Sequence, residues 1–262
     1  MKLIKLEFKR ALNDKLFLFL IIFILLFYVY VNYKMGDIHF ISDNNFYMRL
    51  FFISPDNIEL TNIYYFIVPM LASLAGGDLL GKDLRSKEYL NIVSRYNREK
   101  LLICKAVVSF TIAGLVIVLP YLIDFIIKFA MYPVNLPSIT LSASFQDIIG
   151  MSTIFVYKPM LYTLISILTT FLFAGLCSLI GFLVSFYTTK KLLIVTIPFL
   201  LSVAQWNIIN IFRLKDFSIP SILIFRVTQN VLTLNEIIIL FLVPFIIVLF
   251  MIFIGVKKYD FI

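Results

Sequence analysis

Six apolar runs, roughly 17–33, 63–80, 103–127, 159–187, 192–212 and 236–256, leave this chain little choice of solvent. Each is near or above the ~20 residues an α-helix needs to cross a hydrocarbon core. No water reaches the backbone there, so each run must satisfy its own N–H and C=O groups by coiling into a helix. The alternation of a membrane β-barrel, apolar at every second position over about 10 residues, is absent. The pattern predicts an all-α polytopic membrane protein with six transmembrane helices, residues 1–262 forming one transmembrane domain.

Composition agrees. Apolar residues make up 61% of the chain and charged residues 15%, against about 45–50% and about 25% in soluble domains. The single histidine, His39, excludes His-rich metal chemistry, and Cys104 and Cys177 read as two separate thiols rather than a disulfide framework. Six spans put both termini on one side. Most of the 23 Lys and Arg fall on that side, in the first 15 residues, in 82–105, at Lys190 and Lys191, and at Lys257 and Lys258. By the positive-inside rule both termini are expected in the cytoplasm. The net charge of +8 is then a topology signal, and no nucleic-acid partner is expected. Bulky "YVYVNYKMG" after the first run offers no cleavage site, so that run reads as a retained helix.

Residues 1–15, "MKLIKLEFKRALNDK", place Ile4, Phe8, Ala11 and Leu12 at i, i+4, i+7 and i+8, with Lys2, Lys5, Lys9 and Arg10 mostly elsewhere on the wheel. That is the pattern of a basic amphipathic helix lying in the membrane interface. The segments 34–62 and 128–158 read as loops on the opposite side. In 213–235 the apolar "IPSILIF" is too short to span, which fits a re-entrant or surface-lying helix.

"GGDLLGKD", Gly76 to Asp83, is spelled like a phosphate-binding loop. Such a loop needs a strand before it and a hydroxyl after its lysine to hold magnesium. Here a membrane helix precedes it and Asp83 replaces the hydroxyl, so no nucleotide is expected to bind. The glycines read instead as a place where helices approach or bend. The following "KDLRSKEYLNIVSRYNREKLLICK", Lys82 to Lys105, is the one sizeable polar loop on the terminal side. It has charges of both signs, neither proline nor glycine after Gly81, and a modest apolar face at Leu90, Val93 and Tyr96. A short helix of this kind suits docking into a groove on another protein.

At this loop the chain resembles the ABC-2 type transporter permeases, the membrane subunits of ATP-driven exporters. Asp83 stands in the acidic place after the second helix, Ser86-Lys87 in the Gly-Thr place, and "LNIV" (Leu90 to Val93) in the hydrophobic run. "RYNR" (Arg95 to Arg98) stands for Pro-x-Ser-Arg and Lys105 for the lysine opening the third helix. Gly-Thr itself is missing, and Arg95 takes the usual proline. The resemblance covers the order of elements along the whole chain. It implies an elbow helix at 1–15 and a coupling helix within 82–102. Contact with the ATPase subunit would fall to Asp83, Lys87, Glu88, Leu90, Val93, Ser94, Arg95, Tyr96, Asn97 and Arg98. It also implies a second permease in a homo- or heterodimer, a bacterial plasma membrane, and hydrophobic or amphipathic cargo such as a peptide, bacteriocin, toxin or drug. ATP and magnesium would sit on the partner, with no catalytic residue, metal or cofactor on this chain.

Polar residues inside spans are functional candidates. Asp124 and Lys128 are spaced i, i+4 to pair on one helix face. They read as a cargo-path element or as an interfacial pair ending the span. Gln205, Asn207 and Asn210 in "AQWNIIN" read as interhelical glue or a cargo site. Gly175, Ser178 and Gly181 offer a small-residue face. A membrane-embedded enzyme fits poorly with one histidine and no paired intramembrane carboxylates. A secondary transporter or channel, or a non-pumping immunity or sensor subunit, stays open.

Overall fold

The computed structural model of the chain describes residues 2–36, 45–53, 58–86, 88–94, 96–136, 151–212 and 234–258. Helix is the only regular structure among them. In chain order the helices are α1 (Lys2–Leu12), α2 (Lys15–Gly36), α3 (Phe46–Arg49), α4 (Ile58–Ala72), α5 (Leu79–Arg85), α6 (Glu88–Val93), α7 (Arg98–Met131), α8 (Met151–Tyr157), α9 (Pro159–Val184), α10 (Lys191–Ile211) and α11 (Leu234–Lys258). A π-helical turn, Ser73–Gly77, joins α4 to Asp78 and α5. Six segments are long and apolar enough to cross a membrane: Lys15–Lys34, Glu59–Gly77, Arg98–Met131, Pro159–Val184, Lys191–Ile209 and Asn235–Lys257.

The spans divide into two kinds. Those of α4, α7 and α9 are 61%, 67% and 61% buried inside the protein, against 28%, 17% and 22% for α2, α10 and α11. Three helices therefore make the core and three present Leu, Ile, Val and Phe outward, as a chain dissolved in lipid requires. At 34 residues, α7 is about 50 Å long at 1.5 Å per residue. That exceeds the ~30 Å of a hydrocarbon core, so its ends project. Asn97 caps its start by accepting a hydrogen bond from the Glu99 N–H at 3.0 Å. Pro120 within α7 cannot donate to the helix ladder. Tyr64 of α4 donates to the nearby Ile117 carbonyl at 2.6 Å, which ties the two helices at that point.

"GGDLLGKD" lies where the core helices cross. A Cβ on Gly76 would meet the Ser109 carbonyl oxygen of α7 at 2.3 Å and Ser178 Oγ of α9 at 2.5 Å. Gly77 faces Gly181 backbone to backbone, and the Ser109 and Ser178 hydroxyls bond across the same crossing at 2.6 Å. The backbone from Ser73 to Arg85 is helical apart from the turn at Asp78, and Lys82 N–H donates to the Asp78 carbonyl. The spelling of a phosphate loop is here the spelling of close helix packing.

Several boundaries differ from those read in the sequence. The segment 82–102 is not one helix: α5 ends at Arg85, α6 covers Glu88–Val93, and 98–102 already belong to α7. Residues 213–233 lie outside the described residues, as do Lys87 and Arg95. The loop 34–62 contains a compact piece, 45–53, packed into the bundle on the side away from the termini.

The crossing makes a sharp prediction. Gly76→Ala forces backbone apart and should cost about 1–3 kcal/mol, read as a lower unfolding temperature in detergent. Gly255→Ala in α11, where the nearest atom is 3.4 Å from the new Cβ, should leave that temperature unchanged or slightly raised.

Candidate functional site

The terminal side of the bundle is held by a ring of four charges. Lys105, two turns into α7, is 1% exposed. Its Nζ lies 2.7 Å from Glu7 Oε2 of α1 and also pairs with Asp83 Oδ2 of α5. Arg10 closes the ring, with Nη1 3.2 Å from Glu7 Oε1 and Nη2 3.1 Å from Asp83 Oδ1. Two cations meet two carboxylates, so a buried cluster of ionised groups is neutral as a whole, as burial demands. Three elements far apart in sequence are joined there.

Two more ion pairs flank the ring. Lys82 of α5 pairs with Asp14, between α1 and α2, at 2.6 Å. Arg85 pairs with Asp78 and donates to the Thr189 carbonyl at 2.8 Å, which ties α5 to the turn between α9 and α10. The charged residues of "GGDLLGKD" are thus spent on protein contacts.

The inward face of α1 carries a carboxylate. Glu7 and Ala11 are buried and Leu3, Phe8 and Arg10 half-buried, whereas Ile4, Leu6 and Leu12 are exposed. The carboxylate of Glu7 wins the inward position because Lys105 is there to meet it. Exposed Ile4 and Leu12 then flank exposed Lys5 and Lys9 on the other side of the helix.

The proposed contact residues separate in the structure. Asp83 points inward to the charge ring. Glu88 and Leu90 lie on α6, whose Tyr89 is buried and whose Ile92 and Val93 pack on the core formed with α7, α9 and α11. Val93, half-buried, thus helps to seat α6 on its own bundle. Ser94, Tyr96 and Asn97 are exposed, and Arg98 is half-buried. Tyr96 is the large exposed aromatic of this polar loop, at 41%.

On the far side, Asp124 and Lys128 pair at 2.8 Å, both buried. Asp124 also accepts hydrogen bonds from Tyr28 Oη at 3.1 Å and from the Phe51 N–H at 2.8 Å, and Lys128 donates to the Arg49 carbonyl. The helix continues past the pair, to Met131. Gln205 is half-buried on α10, and Asn207 is exposed and donates to the Val203 carbonyl of its own helix at 2.9 Å. Asn210 lies near the end of that helix. Helix α9 does use its small residues for contact: Ser178 meets Ser109, Gly181 meets Gly77, and Gly175 lies against the Phe110 ring. Cys104 and Cys177 are both free.

Glu7 and Lys105 went unmarked as site residues, though a signal was present. A lysine inside the apolar run "LLICKAVV" needs a counter-charge, and Glu7 is the one carboxylate in the first 13 residues. Lys105→Met should leave two buried carboxylates facing Arg10 alone and cost about 3–5 kcal/mol, seen as lost detergent stability. Lys82→Met removes a half-exposed pair and should cost no more than about 1 kcal/mol.

Compared with protein-family models, with curated proteins and with solved structures, the chain finds no match.

Proposed function

We propose that this chain is the permease subunit of an ATP-driven exporter, with its terminal side in the cytoplasm of a bacterial cell. The reading rests on the resemblance at 82–105 and on one structural observation. The short helix α6 is anchored by Tyr89 and connects two helix ends that an ion pair holds together, Asp83 of α5 and Lys105 of α7. A force applied at α6 is passed to both core helices at once, because α5 continues α4 through the π turn and α7 starts four residues after α6. A bistable bundle driven by a partner needs such a stiff link.

In this reading α6 and the exposed Ser94, Tyr96 and Asn97 meet the ATPase subunit, which carries ATP and magnesium. Tyr96 is the anchor, since an exposed aromatic ringed by polar groups is the usual centre of a protein interface. The helix α1 acts as an elbow, its exposed Ile4 and Leu12 turned to the lipid and Lys5 and Lys9 to the headgroups. A second permease completes the assembly, and the cargo is a hydrophobic or amphipathic molecule such as a peptide, toxin or drug.

Gentle detergent purification of the tagged chain from its own host, followed by mass spectrometry, tests the proposal. A stoichiometric ATP-binding subunit is expected. Tyr96→Ala with Glu88→Lys should weaken its retention by about 2 kcal/mol, roughly 30-fold, without altering membrane insertion. A chain that repeatedly purifies alone in several detergents would overturn the reading.

A further inference from the structure

Charge is sorted by side along α1. Its one carboxylate, Glu7, is buried and bonded to Lys105 and Arg10. Asp14, in the turn to α2, pairs with Lys82, and Asp83 and Asp78 pair with Lys105 and Arg85. Each of these carboxylates is thus committed to a cation of the bundle. Lys5, Lys9 and Lys15 are exposed, and among the described residues no ion pair involves any of them. Lys5 and Lys9 are also spaced i, i+4, so two ammonium groups share one strip of helix surface and repel each other.

That strip is bordered by apolar side chains. Around the helix, Leu12 and Leu6 stand on either side of the two lysines, 39% and 44% exposed. Glu7 meets Lys105 only two turns into α7, so α1 is held against the bundle. Only Asn13 and Asp14 separate α1 from α2, whose exposed Leu16, Leu18 and Phe19 begin the outward surface of the first span. The helix α1 therefore lies where hydrocarbon gives way to headgroups, and Lys15 marks that boundary. Lysine stems and leucines reach the acyl chains from there, while the ammonium groups stay among polar groups.

We propose that the outward face of α1, together with Lys15, binds anionic phospholipid, whose headgroup charge meets Lys5, Lys9 and Lys15. Charge complementarity selects this occupant. Cations bordered by leucine, beside the start of a span, are what an anionic leaflet attracts. A soluble acidic partner would match the lysines but leave the leucines in water. A zwitterionic headgroup cancels its own phosphate with an ammonium and offers the lysines less. Anionic lipid then holds α1 from outside while Glu7 holds it from inside, which reinforces its register against α5 and α7. The proposal deepens the interfacial placement of α1 and rests on that placement, not on the ATPase partner.

The test uses the full chain in phosphatidylcholine vesicles that contain a fixed fraction of one brominated lipid, either phosphatidylglycerol or phosphatidylcholine. Bromine high on the acyl chains quenches a tryptophan that it touches. A Leu12→Trp reporter in a Trp206→Phe background reads the lipid beside α1. The native Trp206, 44% exposed near the far end of α10, reads the surroundings of the bundle elsewhere. The reporter should favour the anionic lipid about fivefold or more, which is one lysine's worth of surface attraction. Trp206 should favour neither lipid. Lys5→Gln, Lys9→Gln and Lys15→Gln together should abolish the reporter's preference, and Lys5→Arg, Lys9→Arg and Lys15→Arg together should keep it. Equal quenching by both lipids, or a preference that survives the triple glutamine variant, would overturn the proposal while leaving α1 in the interface. A preference as large at Trp206 would also overturn it, by showing a general attraction to a basic chain. No quenching of the reporter by either lipid would overturn the interfacial placement itself, and the proposal with it.

Discussion

The constraint on which the terminal side depends is the ammonium of Lys105, carried into a bundle whose surroundings are apolar. A buried cation is tolerated only with counter-charge and hydrogen bonds. Glu7 and Asp83 provide both, and they reach it from two different helices, α1 and α5. One lysine therefore dictates where the first helix lies and where the second membrane helix ends. Arg10 then neutralises the surplus carboxylate and faces the rim. Stability is the weaker half of this argument, since apolar residues could fill the same space at less cost. What the ring adds is registration: three elements have one way to meet.

The far side follows the same logic with a different instrument. There the buried pair lies within one helix, Asp124 and Lys128, and its spare hydrogen-bonding capacity is used on the backbone of 45–53 and on Tyr28. Aromatic rings from α2, α4, α7 and the segment itself fill the space around it. About one turn of α7 beyond Lys105, the core helices touch through glycine and serine, and their backbones approach closely there.

Much of this was legible beforehand, and the reasons are physical. Spans announce themselves because lipid demands long unbroken apolar runs, and the glycine crossing showed as small residues at the end of one span and along another. The i, i+4 spacing of Asp124 and Lys128 foretold a pair. Residues 45–53 were hidden because nine residues are too few for a periodic signal, and Phe and Leu in a loop look like an interfacial belt. Glu7 was hidden for another reason: apolar spacing assumes that carboxylates face water, and Glu7 answers instead to a lysine almost a hundred residues away. Val93, half-buried, also packs on its own bundle, a contact that its place in a polar loop does not announce.

The π turn at Ser73–Gly77 has a consequence for phase. A turn widened by one residue rotates everything after it by about 100° relative to an uninterrupted α-helix. Helix α5 inherits that offset, and with it the directions of Lys82, Asp83 and Arg85 toward Asp14, Lys105 and Thr189. If the bulge relaxed to ordinary α geometry, the membrane part of the helix could stay in place while its polar end turned by about a quarter of a revolution. The carboxylate of Asp83 would then swing away from Lys105. The bulge therefore acts as an angular setting between the part of this helix in lipid and the part in water.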